Sequence, residues 1–351
     1  MNRRIFSVLL CALLLASEVA IAAGEDILFV TGRHTNKAKL SLLKEYAKKY
    51  GLTIDRQSQS ELGDLASAAT TFRQYDVVVL EAASVRESKE IFTQYAPLIT
   101  QASNHIVAIK WWQESTLRKG IDEVQAKRLH DYYDNGGKEN LTRLMAYLHD
   151  NLLENNPREI SPAIIYPDIG LYHPKHKGLV FRTLDEYEAW WQQQTANRSV
   201  TQPVIGVLLQ RAVIESVQTE VIDAAIAELE AQGAKVVPFF FKLSPRVSDY
   251  SSLIQRDGET QVDLIINFRS IHWASQRAKE FRRFGVPVMQ ALTYFDGNQQ
   301  AWEADIQGIS PGMTPFTLTL PEAAGVVDPM IVAALNDETG KSEVIDYQLR
   351  H

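Results

Sequence analysis

Pro203-Val-Ile-Gly-Val-Leu-Leu-Gln-Arg211, an amphipathic run over residues 219–232 that stops at Gly233, and a second apolar run over residues 235–241 together spell one strand–helix–strand unit. The two apolar runs are short and continuous, as strands of a parallel sheet covered on both faces are. Between them Val221, Ile222, Ala225 and Leu229 recur at helical spacing and are expected to face inward. Gly233 supplies the C-terminal cap. Two parallel strands joined by a helix make a right-handed crossover. The second half of the chain is thereby committed to an α/β architecture.

The same alternation extends in both directions. Downstream, residues 263–267 and 286–292 read as strands around a helix over 272–284. Upstream, strands are expected at 26–30, 75–80 and 105–109, with a weaker one near 52–54. Leu40, Leu43, Ala47 and Tyr50 share one face of a helix that Gly51 ends. Residues 123–153 read as two helices around Gly136-Gly137, and the prolines, glycines and lysines of 166–178 as a loop. The expected fold class is α/β, with two flavodoxin- or Rossmann-like lobes built on parallel sheets, plus a helical insert. The expected segments are a signal peptide over 1–22, a first lobe over 23–120, the helical segment over 121–160, a second α/β region over 161–335 and a polar tail over 336–351.

The N-terminus reads as an export signal. Arg3 and Arg4 precede an apolar run over 5–16, and Ala20-Ile21-Ala22 gives a small-x-small cleavage pattern. The run is shorter than the roughly 20 residues a membrane span needs, so no membrane span is expected after cleavage. Cleavage near Ala22 also removes Cys11, the single cysteine among 351 residues, leaving no disulfide framework. The expected location is the periplasm or the medium, reached by the Sec route. The net charge of −7 and the lack of a long basic run exclude nucleic acid as an expected partner.

Two familiar spellings are decoys. Gly340-Lys-Ser342 has Leu335 where a phosphate-binding loop needs its first glycine. Gly308-Ile-Ser310-Pro-Gly312 imitates a hydrolase elbow, but Pro311 lacks the N–H that would hold an oxyanion. The segment reads better as a turn. No G-x-G-x-x-G follows an expected strand, so no dinucleotide site is expected.

Ligands of open α/β sheets sit at the carboxyl ends of strands. His34, after the first strand, and Arg269, His272 and Trp273, after the 263–267 strand, hold that position. His173 and His176 lie three residues apart in the expected loop and form a thin candidate metal pair, against the plainer reading of solvated histidines. Trp111, Trp112, Trp190, Trp191, Trp273 and Trp302 offer faces on which a flat ring could stack, although most tryptophans simply pack in cores.

Tyr172-His-Pro174, Trp190-Trp191, the 204–211 strand, Val286-Pro-Val-Met-Gln290, Trp302-Glu303, Gly308-Ile-Ser-Pro311 and Leu320-Pro-Glu322 occur in that order. Over residues 164–344 this series resembles the large subunit of the tetrapyrrole metal chelatases, the family of CobN and its magnesium-chelatase counterpart. The resemblance implies a porphyrin or corrin substrate, with cobalt, magnesium or iron inserted or removed as a substrate ion. No resident cofactor is implied, and ATP enters only through partner subunits. Candidate catalytic groups are then His34, His173, His272 and Glu322; candidate substrate contacts are Tyr172, His173, Arg211, Arg269 and Trp273, the arginines facing the ring's carboxylates. The family's chains run longer, which implies an incomplete large subunit whose partners are the rest of a chelatase or a haem or corrin uptake system. The competing readings are a non-catalytic periplasmic ligand-binding protein and an inactive fragment.

Overall fold

The computed structural model describes residues 25–32, 36–81, 85–99, 104–109, 117–154, 156–194, 202–242, 249–306, 308–336 and 338–345. The signal-like segment, His34, Trp111 and Trp112 lie outside them. Among the described residues the chain divides into two compact units. The first lies before residue 36, over 47–127 and over 149–157; the second covers 36–46, 128–148 and the residues beyond 157.

The first unit carries β1 (Glu25–Thr31), β2 (Ile54–Ser58), β3 (Tyr75–Glu81), β4 (His105–Ile109) and β5 (Arg118–Lys119). Their order is β2-β1-β3-β4-β5, parallel except for β5. Leu28, Val30, Val78, Leu80 and Ile106 pack on one face against Phe72 of helix Leu65–Phe72 and Tyr95 of helix Val85–Ile99. Asp64 caps the first of these helices by accepting from the Ser67 N–H at 2.8 Å.

The second unit carries β6 (Ile169–Tyr172), β7 (Val180–Phe181), β8 (Val204–Gln210), β9 (Lys235–Phe241), a short hairpin of β10 (Gln255–Arg256) and β11 (Glu259–Thr260), β12 (Leu264–Asn267), β13 (Val288–Tyr294), β14 (Val327–Leu335) and β15 (Ser342–Val344). Its eight-stranded sheet has the order β15-β14-β13-β12-β8-β9-β6-β7. The five inner strands from β14 to β9 are parallel; at the ends β15 pairs antiparallel with β14, β6 antiparallel with β9, and β7 antiparallel with β6. From β8 the chain winds to β9, then returns to place β12 on the other side of β8. The strand order therefore reverses between β8 and β12, where doubly wound sheets take their ligands.

Alternation along the strands separates two core layers. Leu208, Phe239, Ile265 and Val288 face helix Ala274–Phe284 through Phe281 and Phe284. Val207, Leu209, Val236 and Phe240 face helix Glu220–Ala231 through Ile222 and Ile226. That helix corrects one expectation. Its buried residues are Val221, Ile222, Ile226 and Glu230, while Ala225 and Leu229 are only half-buried.

Three further expectations change. The 166–178 segment is not all loop: β6 pairs antiparallel with β9 inside it. The strand is short and flanked by turn formers, which hid it. Gly170 is required there, because a Cβ would lie 2.8 Å from the Phe181 carbonyl oxygen and 2.9 Å from the Phe240 ring. Residues 342–344, read as polar tail, form β15 against β14. β14 itself went unforeseen, since Asp328-Pro329 and paired alanines give it no strand signature. The turn at 308–314 is present, with the Ser310 carbonyl accepting from Met313 and Thr314.

The helical insert consists of helices Glu123–Asn135 and Gly137–Tyr147, followed by a π-helical turn Leu148–Leu153. Gly136 and Gly137 break it with φ of 56° and 71°. A Cβ on Gly136 would sit 2.0 Å from the Glu215 carbonyl oxygen, so only glycine fits.

Candidate functional site

The loop after β12 is built by buried amides. Asn267 Nδ2 donates to Gln290 Oε1 at 2.7 Å and to the Arg269 carbonyl at 2.9 Å. Gln290 Nε2 donates to the carbonyls of Asn267 and Ala291, both at 3.0 Å. The Arg269 N–H donates back to Asn267 Oδ1 at 3.2 Å. Asn267, Arg269 and Gln290 are all buried. A satisfied polar network of this kind fixes one loop conformation.

The loop presents Arg269. Its Nη1 donates to the Phe241 carbonyl at 3.0 Å, and its guanidinium lies 3.5 Å from the centre of the Phe241 ring. Among the described residues it forms no ion pair with a carboxylate. Burial, with a further contribution from the Arg277 cation, brings its pKa down to about 9. The group is therefore still a cation at neutral pH. Glu280 favours the cation through space without pairing with it, and an incoming anion in direct contact would offset more of the cost of burial. Arg277 is differently placed: it pairs with Glu280 at 2.5 Å, and Glu280 accepts from the Tyr250 hydroxyl at 2.8 Å.

Trp273 follows, with φ of 55° in the left-handed region and 46% of its surface exposed. A bulky aromatic in that conformation is strained, and such strain concentrates at functional sites. It stands at the N-terminus of helix Ala274–Phe284, whose first N–H groups favour negative charge. Burial first, and Arg269 second, hold the His272 imidazole below its ordinary pKa, so it is neutral at pH 7. Phe241, Asn267, Arg269, His272 and Trp273 line a recess of about 10 Å³. That is room for roughly one water or one carboxylate oxygen, with the exposed indole beside it.

The other expected residues have different surroundings. Arg211 is buried and spends its donors internally: on Glu215 at 2.5 Å, Asp168 at 3.3 Å and the carbonyls of Tyr166 and Pro167 at 3.2 and 3.3 Å. The Tyr172 hydroxyl donates to Asp223 at 2.7 Å. His173 is fully buried. Its Nδ1 accepts the Lys175 N–H at 3.2 Å and its Nε2 donates to Glu230 at 2.8 Å. Lys175 Nζ donates to the other Glu230 oxygen at 2.5 Å, and Trp190 lies 4.5 Å from the imidazole. His176 stacks on Phe181 at 4.0 Å. Glu322 is exposed on the short helix Leu320–Ala323, and Trp302 is half-buried in helix Gln299–Ala304. Among the described residues, no three His, Cys, Asp or Glu side chains gather closely enough to hold a metal ion. Position after a strand pointed to Arg269, His272 and Trp273. The supports Asn267 and Gln290 were missed, although two amides interrupting apolar runs were their visible signal.

Comparisons with known proteins agree with this architecture. The catalytic subunit of cobaltochelatase from Mycobacterium tuberculosis superposes with a TM-score of 0.57 at 17% identity, covering 92% of this chain and 26% of that one. The likeness shows a shared fold. The aerobic cobaltochelatase subunit CobN of Pseudomonas aeruginosa is 28% identical over 232 residues, 64% of this chain and 17% of that protein. The chloroplastic magnesium-chelatase subunit ChlH of Oryza sativa is 24% identical over 249 residues, 64% of this chain and 18% of that protein. The chain thus spans under a fifth of the length of these curated relatives. Residues 130–351 match the CobN/Magnesium Chelatase family, and the chain belongs to it.

Proposed function

We propose that the recess after β12 receives a carboxylate of a tetrapyrrole, porphyrin or corrin, and that the chain takes part in inserting or removing the ring's metal. The observation that carries this reading is Arg269, buried, cationic and without a direct ion pair to a carboxylate among the described residues, beside the exposed Trp273. The recess is too small for a macrocycle. The ring lies outside it, one face on the Trp273 indole, with a side-chain carboxylate reaching Arg269. The neutral His272 is suited to take a pyrrole N–H proton as a metal enters, or to return one as it leaves. Cobalt, magnesium or iron is substrate here, and any ATP acts through partner subunits. The charged and apolar pattern of residues 3–22 supports a periplasmic setting, with a haem or corrin uptake system as the companion.

Titration with haem, metal-free porphyrin and a corrin, followed by ring absorbance and tryptophan quenching, tests this. Saturable one-to-one binding is expected. Arg269→Gln should weaken it about 10- to 100-fold, the equivalent of one hydrogen bond to a charged group. The same change should leave the weaker binding of the esterified porphyrin unaltered. Equal affinity of both proteins for the free acid would refute the assignment. Binding with no change in the ring's metal content would make the chain a carrier rather than a catalyst.

A further inference from the structure

A larger opening in the second unit lies elsewhere. A groove of about 650 Å³ runs beside helix Glu220–Ala231 over the face of the sheet opposite Phe281 and Phe284. Its floor is Ile266, Met289, Met330 and Val344, from β12, β13, β14 and β15; its wall is Ala225 and Leu229. Parallel strands are ordinarily covered on both faces. Among the described residues this stretch has one cover only.

Three observations say what the cover is. Ala225 and Leu229 lie on the inward stripe of an amphipathic pattern, yet they are only half-buried. The sequence is thus written for a neighbour at that wall. The wall also carries Ala224 beside Ala225, and small residues let a second helix approach to the 8–10 Å of packed helix axes. The only charged residues lining the groove, Glu228 and Asp328, are acidic.

We propose that this groove seats an amphipathic helix of a separate polypeptide, apolar on one face and bearing Lys or Arg along its margins. The helix lies alongside Glu220–Ala231 and completes the second layer over β12 to β14. Met289 and Met330 form an adaptable floor, as thioether side chains do at surfaces that accept partners. Gln290 lines this groove and also supports the Arg269 loop, but the proposal does not rest on the tetrapyrrole reading.

The test uses the full chain and a fluorescent 16-residue synthetic helix with a Leu/Ala face and Lys margins, with two control peptides. One control is a scramble of equal composition and the other carries Glu for Lys. Anisotropy should show saturable binding, at least about tenfold tighter than for either control. Met330→Asp, at a half-exposed position that leaves the core intact, should weaken it by about tenfold or more. Equal binding of the helix and its scramble overturns the proposal. So does displacement of the peptide by one equivalent of haem that is itself lost in Met330→Asp, which would make the groove a ring site. Sedimentation showing a dimer that Met330→Asp converts to monomer overturns it too, because the cover would then be a second copy of this chain.

Discussion

His173→Ala is expected to lower the stability of the second unit by about 3–5 kcal/mol, the range for emptying a large buried site and leaving a buried partner short of a hydrogen bond. The imidazole is fully buried, both of its nitrogens are engaged, and Trp190 packs against it. Its loss leaves Glu230 buried with Lys175 alone. The shift should appear as a midpoint change in urea unfolding followed by tryptophan fluorescence, since Trp190 and Trp191 surround the site. A loss under about 1 kcal/mol would mean the site collapses without cost. The pH dependence has a fixed sign. Burial, with Lys175 adding to it, holds His173 below its ordinary 6.5, and the Glu230 contact does not reverse this. Burial pushes Glu230 up, but its bonds to Lys175 and His173 leave it below its ordinary 4.5. Both depressed groups contribute stability above their unfolded pKa values and lose it as pH falls through the folded ones. The natural chain should therefore weaken progressively on acidification from about pH 6.5, and His173→Ala should lack the upper part of that decline.

Arg211→Met is expected to cost about 3 kcal/mol, or on the order of 10 °C in the melting temperature of a unit of this size. The side chain ties the start of helix Arg211–Glu215 to residues 166–168, just ahead of β6. Methionine fills most of the volume but donates nothing. Glu215 loses its cation and two carbonyls lose a donor. Calorimetry of the variant checks the size of the effect. An unchanged melting temperature would show that this guanidinium is not a strut and would restore it as a candidate for binding a ligand's carboxylate.

The parts of the fold that were legible were the ones whose chemistry is local. β4 and β9 match their expected bounds, and β8 fills all but the last residue of its 204–211 run, because an uninterrupted apolar run has few other uses. β14 and β6 were hidden because their pairing, not their composition, makes them strands. The site divides in the same way. Arg269, His272 and Trp273 were visible by their place after a strand, a topological rule that needs no partner. The role of His173 was not, because Glu230 lies 57 residues away and only the fold brings them together. Tyr172-His-Pro174 looked like an exposed catalytic loop; in the structure its tyrosine and histidine are anchored to the helix Glu220–Ala231.

One edge of the eight-stranded sheet is β15, which among the described residues pairs with Leu335, Ala334 and Ala333 of β14, with the following Ile345 N–H donating to the Val332 carbonyl at 3.0 Å. Among the described residues no strand pairs with the outer edge of 327–330, and open ladders recruit strands from other molecules into aggregates. Asp328, with φ of 49°, bends this stretch, and Pro329 offers no N–H to an incoming strand. The residues that made β14 hard to recognise are therefore the ones that keep it from polymerising. Pro329→Val should leave the fold intact, yet raise light scattering during refolding at micromolar concentration.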